Sequence, residues 1–562
     1  MTANLKEQVA AIALLFGSLS SFGANPPQQT ERLNILWLTC EDISPTLSFY
    51  GDPTAHTPNL DKLAKESLVF TRAFATVGVC APSRSSIITG MYPPSIGTMH
   101  MRTALDVAGW GNRKYPEKTL AKDVEGKPVR QYSAVIPEYV KCFTEYLRAD
   151  GYYCTNNAKT DYQFAAPVTA WDGNSNEASW QNCPSGKPFF SVFNHEITHE
   201  SQMWVNKKLP QTVKPESVSL PDYYPENPVV RQDVARNYSN IEILDKQIGE
   251  KIDELKKAGL YDKTIIFFFS DHGGPLPRGK REIYDTGLHV PFLVHFPGGA
   301  HAGRNDDLIS FVDLAPTILS LAGIKPPDYM QGNPFLGKYK VTEPRKYIFG
   351  SGDRFDDFSD RVRMVRDKRY LFVRNYYPEL PAYKDVAYRK QMDMMQELLR
   401  LRDNKELSGP TAYWFRLHKT KEEFYDCDTD PYNLTNRIDD PTYAAKIIEL
   451  RTALDQHIEN IHDKAVIPEA QMIEQMWPGG IQPATAKPIV SIDKDNIRIS
   501  CPTKGSSIGY ILSEKEIKPD LNSGWQLYHE PLKTKGEMFL YVMSNRIGFA
   551  DSEVVQIKTG RQ

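Results

Sequence analysis

The sequence predicts an α/β protein: a doubly wound, mainly parallel sheet, then a smaller α+β subdomain and an appended β-sandwich. Three observations predict it. Apolar runs without alternation recur at Asn34 to Thr39, Pro188 to Asn194 and Thr264 to Phe269, as in strands buried on both faces of a parallel sheet. Helical patterns lie between those runs. After about Gly350 the texture changes to charged hairpin and helix patterns, and short alternating segments close the chain.

The elements follow in order. Residues 1–24 read as a cleaved secretory signal: Lys6, an apolar run from Val9 to Gly17, small residues, then Asn25-Pro26-Pro27. The mature chain is therefore expected to be exported, periplasmic or secreted. No later segment is apolar enough for a membrane span. Residues 25–350 form the expected catalytic domain. There Thr57-Pro58 opens a helix, and Arg236 to Ala258 spaces Ile241, Leu244, Ile248, Ile252 and Leu255 three or four apart. In residues 351–462, Arg361 to Asn375 reads as a hairpin, and Asp385 to Arg402 and Tyr443 to His462 as helices. Residues 463–486 hold several prolines and a Gly-Gly pair, as a linker would. Residues 487–562 are the small β-sandwich, with Trp525 and Tyr528 as core and a structural role.

Composition narrows the function classes. A chain of 562 residues buries a sizeable core without disulfides. Lys+Arg is 67 against 70 Asp+Glu, a formal charge of -3, which argues against a bulk grip on nucleic acid. The 41% hydrophobic and 24% charged content is that of a folded protein. The 7 cysteines show no C-x-x-C zinc pattern.

The chemistry-bearing residues sit where the predicted strands end. Glu41 and Asp42 follow the first run, His195 and His199 the second, Asp271 and His272 the third. In doubly wound sheets ligands gather at those carboxyl ends. The most informative segment is Cys80-Ala81-Pro82-Ser83-Arg84, extended through Ser85-Ser86-Ile87-Ile88 to Thr89-Gly90. It resembles the C-x-P-S-R signature of the type I, formylglycine-dependent sulfatases, a family of the alkaline phosphatase-like superfamily. The resemblance runs over nearly all of residues 33–440. Asp271-His272-Gly273 matches the family's Asp-His-Gly. Gly279-Lys280, Tyr284, Gly287 and Val290-Pro291 match a second run. Asp313 to Leu319 and Ala322-Gly323 match a third, whose role is helix packing. Gly151-Tyr152 with Lys159 is similar to the family's Gly-Tyr … Gly-Lys-x-His segment.

The resemblance implies a carbohydrate sulfatase or a sulfamidase-like enzyme, and roles for named residues. Cys80 is oxidised to formylglycine by a maturation enzyme, and the hydrate supplies the nucleophile. Glu41, Asp42, Asp271 and His272, with modified Cys80, hold Ca²⁺, an ion suited to oxygen-rich sites. Arg84, Lys159 and Lys280 meet the sulfate charge, and His199 protonates the leaving oxygen. His195 is structural. His100, Asp353 and Arg354 are expected at the substrate, a sulfated glycan such as a glycosaminoglycan or mucin glycan, with Arg361, Arg363 and Arg366 nearby. The chain departs from the family at Lys159-Thr160-Asp161, which lacks the usual histidine; Asp161 or His100 takes its place. Glu41 stands where sulfatases usually carry Asp. An N-sulfate substrate remains open. So do two rivals, a phosphoesterase of the same superfamily and a non-catalytic glycan-binding protein.

Overall fold

The computed structural model describes residues 32–101, 121–494, 496–533 and 536–559. The expected secretory signal lies outside them. Eight strands form the main sheet: β1 (Asn34–Cys40), β2 (Ser67–Phe74), β3 (Tyr153–Asn157), β4 (Gly173–Asn174), β5 (Phe189–His195), β6 (Thr264–Ser270), β7 (His289–His295) and β8 (Gly303–Ser310). Their order is β4-β3-β5-β1-β6-β7-β2-β8. All run the same way except β7, which is antiparallel to both β6 and β2. The three predicted apolar runs are the adjacent strands β5, β1 and β6.

Alternate side chains of these strands enter two cores. Ile35, Trp37, Phe267 and Phe269 meet Ile87 and Ile88 of the helix Cys80–Thr89 and Leu314 and Ile318 of the helix Leu314–Leu321. On the other face Leu36, Leu38, Ile266 and Phe268 meet Ile241, Leu244, Ile248, Ile252 and Leu255 of the helix Pro228–Lys257. Burying each such side chain is worth about 1.5–3 kcal/mol. The long helix begins earlier than its periodic run suggested. Asn227 caps it, accepting from the Val229 and Val230 amides, and Pro228 takes the first position.

A second, antiparallel sheet follows, of β9 (Ile348–Gly352), β10 (Val362–Arg366), β11 (Tyr370–Asn375) and β12 (Glu422–Asp426), in the order β12-β11-β10-β9. The predicted hairpin is β10 and β11. The helix Ala444–Asn460 packs Ile447, Leu450 and Leu454 on Val365, Phe372 and Phe424. The helix expected from Asp385 starts only at Asp393. Ahead of it Arg389 is fully buried and donates to the Lys280 carbonyl at 2.5 Å, a tertiary contact that overrides local propensity.

The stretch expected as a linker holds a helix, Glu469–Met476, with Glu469, Met472 and Ile473 buried. Its charges serve the second sheet: Glu469 takes both ends of the Arg354 guanidinium, at 2.5 and 2.9 Å. Beyond it come β13 (Ile489–Asp493), β14 (Asn496–Ser500), β15 (Ser507–Ser513), β16 (Gln526–Leu527), β17 (Leu532–Lys533), β18 (Met538–Asn545) and β19 (Val555–Thr559). They form two sheets, β13-β14-β17 and β16-β15-β18-β19. Ile497 and Ile499 of one pack on Leu540 and Val542 of the other. Arg148 donates to the Trp525 carbonyl at 2.6 Å and Lys141 to the Gly505 carbonyl at 2.7 Å, which pins this layer to the catalytic sheet's helices. No helix among the described residues is long and apolar enough to cross a membrane.

Arg363 joins two carboxylates unequally. Its Nε and Nη2 fork onto Asp463 at 2.7 and 3.0 Å, while Asp353 receives only Nη1, at 3.0 and 3.1 Å. Burial works against both charges; Arg363 holds Asp463 down at about 2, whereas burial wins at Asp353 and raises it to about 7. Asp463→Asn should therefore cost about 3–5 kcal/mol, the scale of a broken buried pair. Asp353→Asn should cost less and should remove a loss of stability that the parent suffers as pH rises through about 7. Denaturant melts at pH 5 and pH 8 check both.

Candidate active site

The register sets the site. Cys40 pairs with His195 on one side and Ser270 on the other, so β5, β1 and β6 end level. The ladder continues one step, with the Glu41 amide on the His195 carbonyl at 3.2 Å and the Asp271 amide on the Cys40 carbonyl at 3.1 Å. Asp42 then turns the chain with φ +51°, a left-handed conformation that Asp tolerates better than most residues. The helix bearing Cys80 is tied to the same edge by Ser83 Oγ, which donates to the Asp271 carbonyl at 2.7 Å. Glu41, Asp42, Cys80 and His272 are fully buried, and Asp271 is 1% exposed.

Each carboxylate there meets a cation. Arg84 donates through Nη2 to Glu41 and through Nε to Asp271 at 3.1 Å. Lys159 Nζ lies 2.6 Å from Glu41 Oε2, and Lys280 Nζ 2.8 Å from Asp42 Oδ2. Lys280 Nζ also reaches Cys80 Sγ at 3.3 Å. Burial opposes the charge on Glu41, but Arg84 and Lys159 hold its carboxyl well below the usual range. At Asp42 burial wins over Lys280, and the carboxyl is raised. Burial works against Lys280 and Lys159 too, yet Asp42 and Glu41 raise them above the ordinary lysine range, so both are ammonium ions. Burial pushes the Cys80 thiol up, against Lys280 and Lys159, so unmodified Cys80 is a neutral thiol at pH 7.

The donor set suits a hard cation. Ligand atoms of Asp42, Cys80, Asp271 and His272 lie within 4.8 Å of one another, as do those of Glu41, Asp42, Cys80 and His199. His272 Nδ1 is 3.0 Å from the Gly273 carbonyl, which only accepts, so Nδ1 carries the proton. Nε2 lies 3.2 Å from Asp42 Oδ1 and 3.3 Å from Cys80 Sγ, which makes it the ring atom that would ligate an ion. Two aspartates and one imidazole fit a divalent ion. Glu41, expected as a ligand beside Asp271 and His272, falls in the other group, its two oxygens facing Arg84 and Lys159.

The structure brings most expected residues together and sets others apart. His199 joins the cluster through one ring nitrogen; Nδ1 stands 2.8 Å from Ser201 Oγ. Asp161 lies 3.6 Å from Lys159 Nζ, also in a left-handed turn, φ +45°. His195 is structural, Nδ1 to the Thr39 carbonyl at 2.9 Å. His100 faces the Arg354 amide at 3.3 Å and Glu469 at 3.7 Å. With Asp353 and Arg354 it lines a small cavity of about 20 Å³. Met101 and Phe355, next to these, share an apolar cluster with Cys80. The arginines of the hairpin are engaged: Arg363 with Asp353 and Asp463, Arg366 with Asp285 at 2.9 Å, and Arg361 over the Tyr376 ring at 3.9 Å.

Sequence reasoning missed three contributors. Asn194 accepts from Arg84 Nη1 and from Thr39 Oγ1, both at 2.9 Å, and so aims the guanidinium. Glu200 gives its amide to Asp42 Oδ2 at 2.7 Å and its carboxylate to Arg281 at 2.8 and 3.0 Å. Glu196 stands near Lys159 and Glu41, and burial raises its carboxyl to about 7. Their only signal was position: each lies at or just past the end of β5.

Comparison with known proteins gives the family and the fold. The sulfatase family model matches residues 33–324, and a model of the N-sulphoglucosamine sulphohydrolase C-terminal region matches residues 278–408. An ulvan-active sulfatase of Formosa agariphila is 43% identical, over 94% of this chain and 92% of its own length. Human N-sulphoglucosamine sulphohydrolase is 26% identical, over 79% and 94%. A solved 2-O GAG sulfatase superposes with a TM-score of 0.55 at 18% identity, covering 77% of this chain and 94% of its own, a likeness of fold.

Proposed function

The chain belongs to the sulfatase family and is a sulfuric ester hydrolase, and from that premise we propose that it desulfates an ulvan-like polysaccharide through a nucleophile made from Cys80. One observation carries the reading: the Cys80 side chain opens a buried helix with Lys280 Nζ and His272 Nε2 each 3.3 Å from its sulfur. A neutral buried thiol is a poor nucleophile. Conversion to formylglycine by a maturation enzyme replaces it with an aldehyde whose hydrate offers a hydroxyl.

Calcium held by Asp42, Asp271 and His272, with Glu41 beside them, would polarise a sulfate oxygen as a Lewis acid. The chain's own residues do the rest. Lys159, Lys280 and Arg84 are fixed charges facing the sulfate, each worth about 3 kcal/mol where it meets developing negative charge. His199 gives a proton to the leaving alcohol oxygen; its Nδ1 accepts from the Ser201 amide at 3.2 Å and lies 2.8 Å from Ser201 Oγ, which fixes the ring. Asp161 orients Lys159, in place of the family's histidine. His100, Asp353 and Arg354 form the sugar-facing side, next to Cys80 through Met101 and Phe355. Export through the N-terminal apolar run brings the enzyme to a polymer that cannot enter the cell.

The 43% relative supports ulvan as the substrate class. A second reading, an N-sulfate substrate, is favoured by the sulphohydrolase C-terminal match over residues 278–408. Ester and N-sulfated saccharides assayed side by side separate the two.

Cys80→Ala should abolish sulfate release with an unchanged melting curve, and mass spectrometry of the Cys80 peptide should show the aldehyde; retained turnover would sink the mechanism. Exhaustive chelation should remove activity, with Ca²⁺ restoring it better than Zn²⁺, as metal analysis of the recovered enzyme would report. Asp161→Asn should lower kcat/KM about tenfold, mainly through KM, in a sulfate-release assay; wild-type kinetics would deny it an orienting role.

A further inference from the structure

A cavity of about 550 Å³ opens beside the cluster and contains none of its residues. That volume is in the range of small-ligand sites, about 300–1,000 Å³. It too lies at the carboxyl ends of the strands. Ser44 to Thr46 follow β1, Gly274 to Leu276 follow β6, and Phe74 ends β2. Ser44 is two residues from Asp42, so their Cα atoms are within about 7 Å. A thin wall separates cavity and cluster: Ser44 Oγ donates to the Thr286 carbonyl and accepts from the Gly274 amide, both at 3.0 Å.

The lining has a definite chemistry. Tyr223 packs edge-on against Tyr224 at 4.5 Å and Tyr432 at 5.3 Å, forming an aromatic side. From the long helix comes Asn237, 7% exposed, whose Oδ1 is buried with no hydrogen-bond partner. An unmet buried acceptor costs about 1–3 kcal/mol, so this one calls for a donor from whatever fills the cavity. The cations on the wall are already matched. Arg366 forks onto Asp285 at 2.9 Å, Arg72 meets Asp306 at 2.9 Å, and Lys368 meets Asp306 at 3.3 Å. Asp52, another wall residue, accepts from Tyr238 at 2.7 Å. No excess positive charge draws a sulfate or other anion. Aromatic side chains, a lone amide acceptor and balanced charge fit a sugar ring, with its C–H groups and donating hydroxyls.

We propose that this cavity is an auxiliary saccharide site that holds an unsulfated sugar residue, separate from the residue being desulfated. It rests on the reading of the chain as a glycan sulfatase and adds a second foothold on the polymer. Two weak sites on one chain gain avidity through effective concentration.

Titration calorimetry of the full chain with a chemically desulfated ulvan tetrasaccharide tests it. Binding is expected, weakened at least tenfold by Tyr432→Ala and by Asn237→Leu, and unaffected by a saturating sulfated monosaccharide. If Asn237→Leu does not fold, the half-buried Tyr432→Ala decides alone. No binding by the parent, parent-like binding by Tyr432→Ala, or displacement by the monosaccharide would overturn the site. Tetrasaccharide binding by a chain that releases no sulfate from native, sulfated ulvan would leave the cavity standing and sink the hydrolase reading.

Discussion

Three buried carboxylates can share a site only if each is neutralised where it stands. Glu41, Asp42 and Asp271 are met by Arg84, Lys159 and Lys280, at distances that leave no charge unanswered. An ionised group taken from water and left alone costs far more than any pair returns. The balance explains why the cations are where they are. Arg84 spans two carboxylates because a planar fork does so without bending, which an ammonium cannot. The two lysines take the remaining oxygens and reach the Cys80 side from different loops.

That arrangement depends in turn on register. A slip of one residue between β1 and β6 would send Glu41 and Asp271 to opposite faces of the sheet. Both strands are pinned from two sides, by the aromatic core under Trp37 and the aliphatic core under the long helix. The site's precision is thus supplied by apolar side chains that never touch a substrate. Helix placement adds to it: Ser83 binds the Asp271 carbonyl, and Ser85 Oγ accepts from the Gln163 amide, so Cys80 and the segment after Lys159 are held to one frame.

What the sequence made legible was local. Unbroken apolar runs announced β1, β5 and β6, and the residues after each run announced the site. The Cys80 to Gly90 segment was readable because its residues are contiguous. Partners far apart in the chain were not. Nothing near Arg354 points to Glu469, and nothing near Arg363 points to Asp463, since such pairs exist only once the second sheet has formed. Prolines and a Gly-Gly pair made residues 463–486 look like a connector, yet Asp463 and Glu469 are buried there by the arginines they neutralise. Asn194, Glu196 and Glu200 are ordinary polar residues by type; only the level ends of the strands make them neighbours of the cluster.

The same accounting bears on how a sugar is chosen. The family resemblance put Arg354 at the substrate, with Arg361, Arg363 and Arg366 nearby. In the fold Arg354, Arg363 and Arg366 each spend their donors on a carboxylate, and breaking such a buried pair costs about 3–5 kcal/mol. A passing sulfate or uronate offers no such return, because it must also shed its own water. These arginines therefore act as rigid walls more than as hands. On the proposed reading, the sulfate's charge would be met around Cys80, and discrimination among sugars would fall to shape and to neutral hydrogen bonds on either side of that cluster.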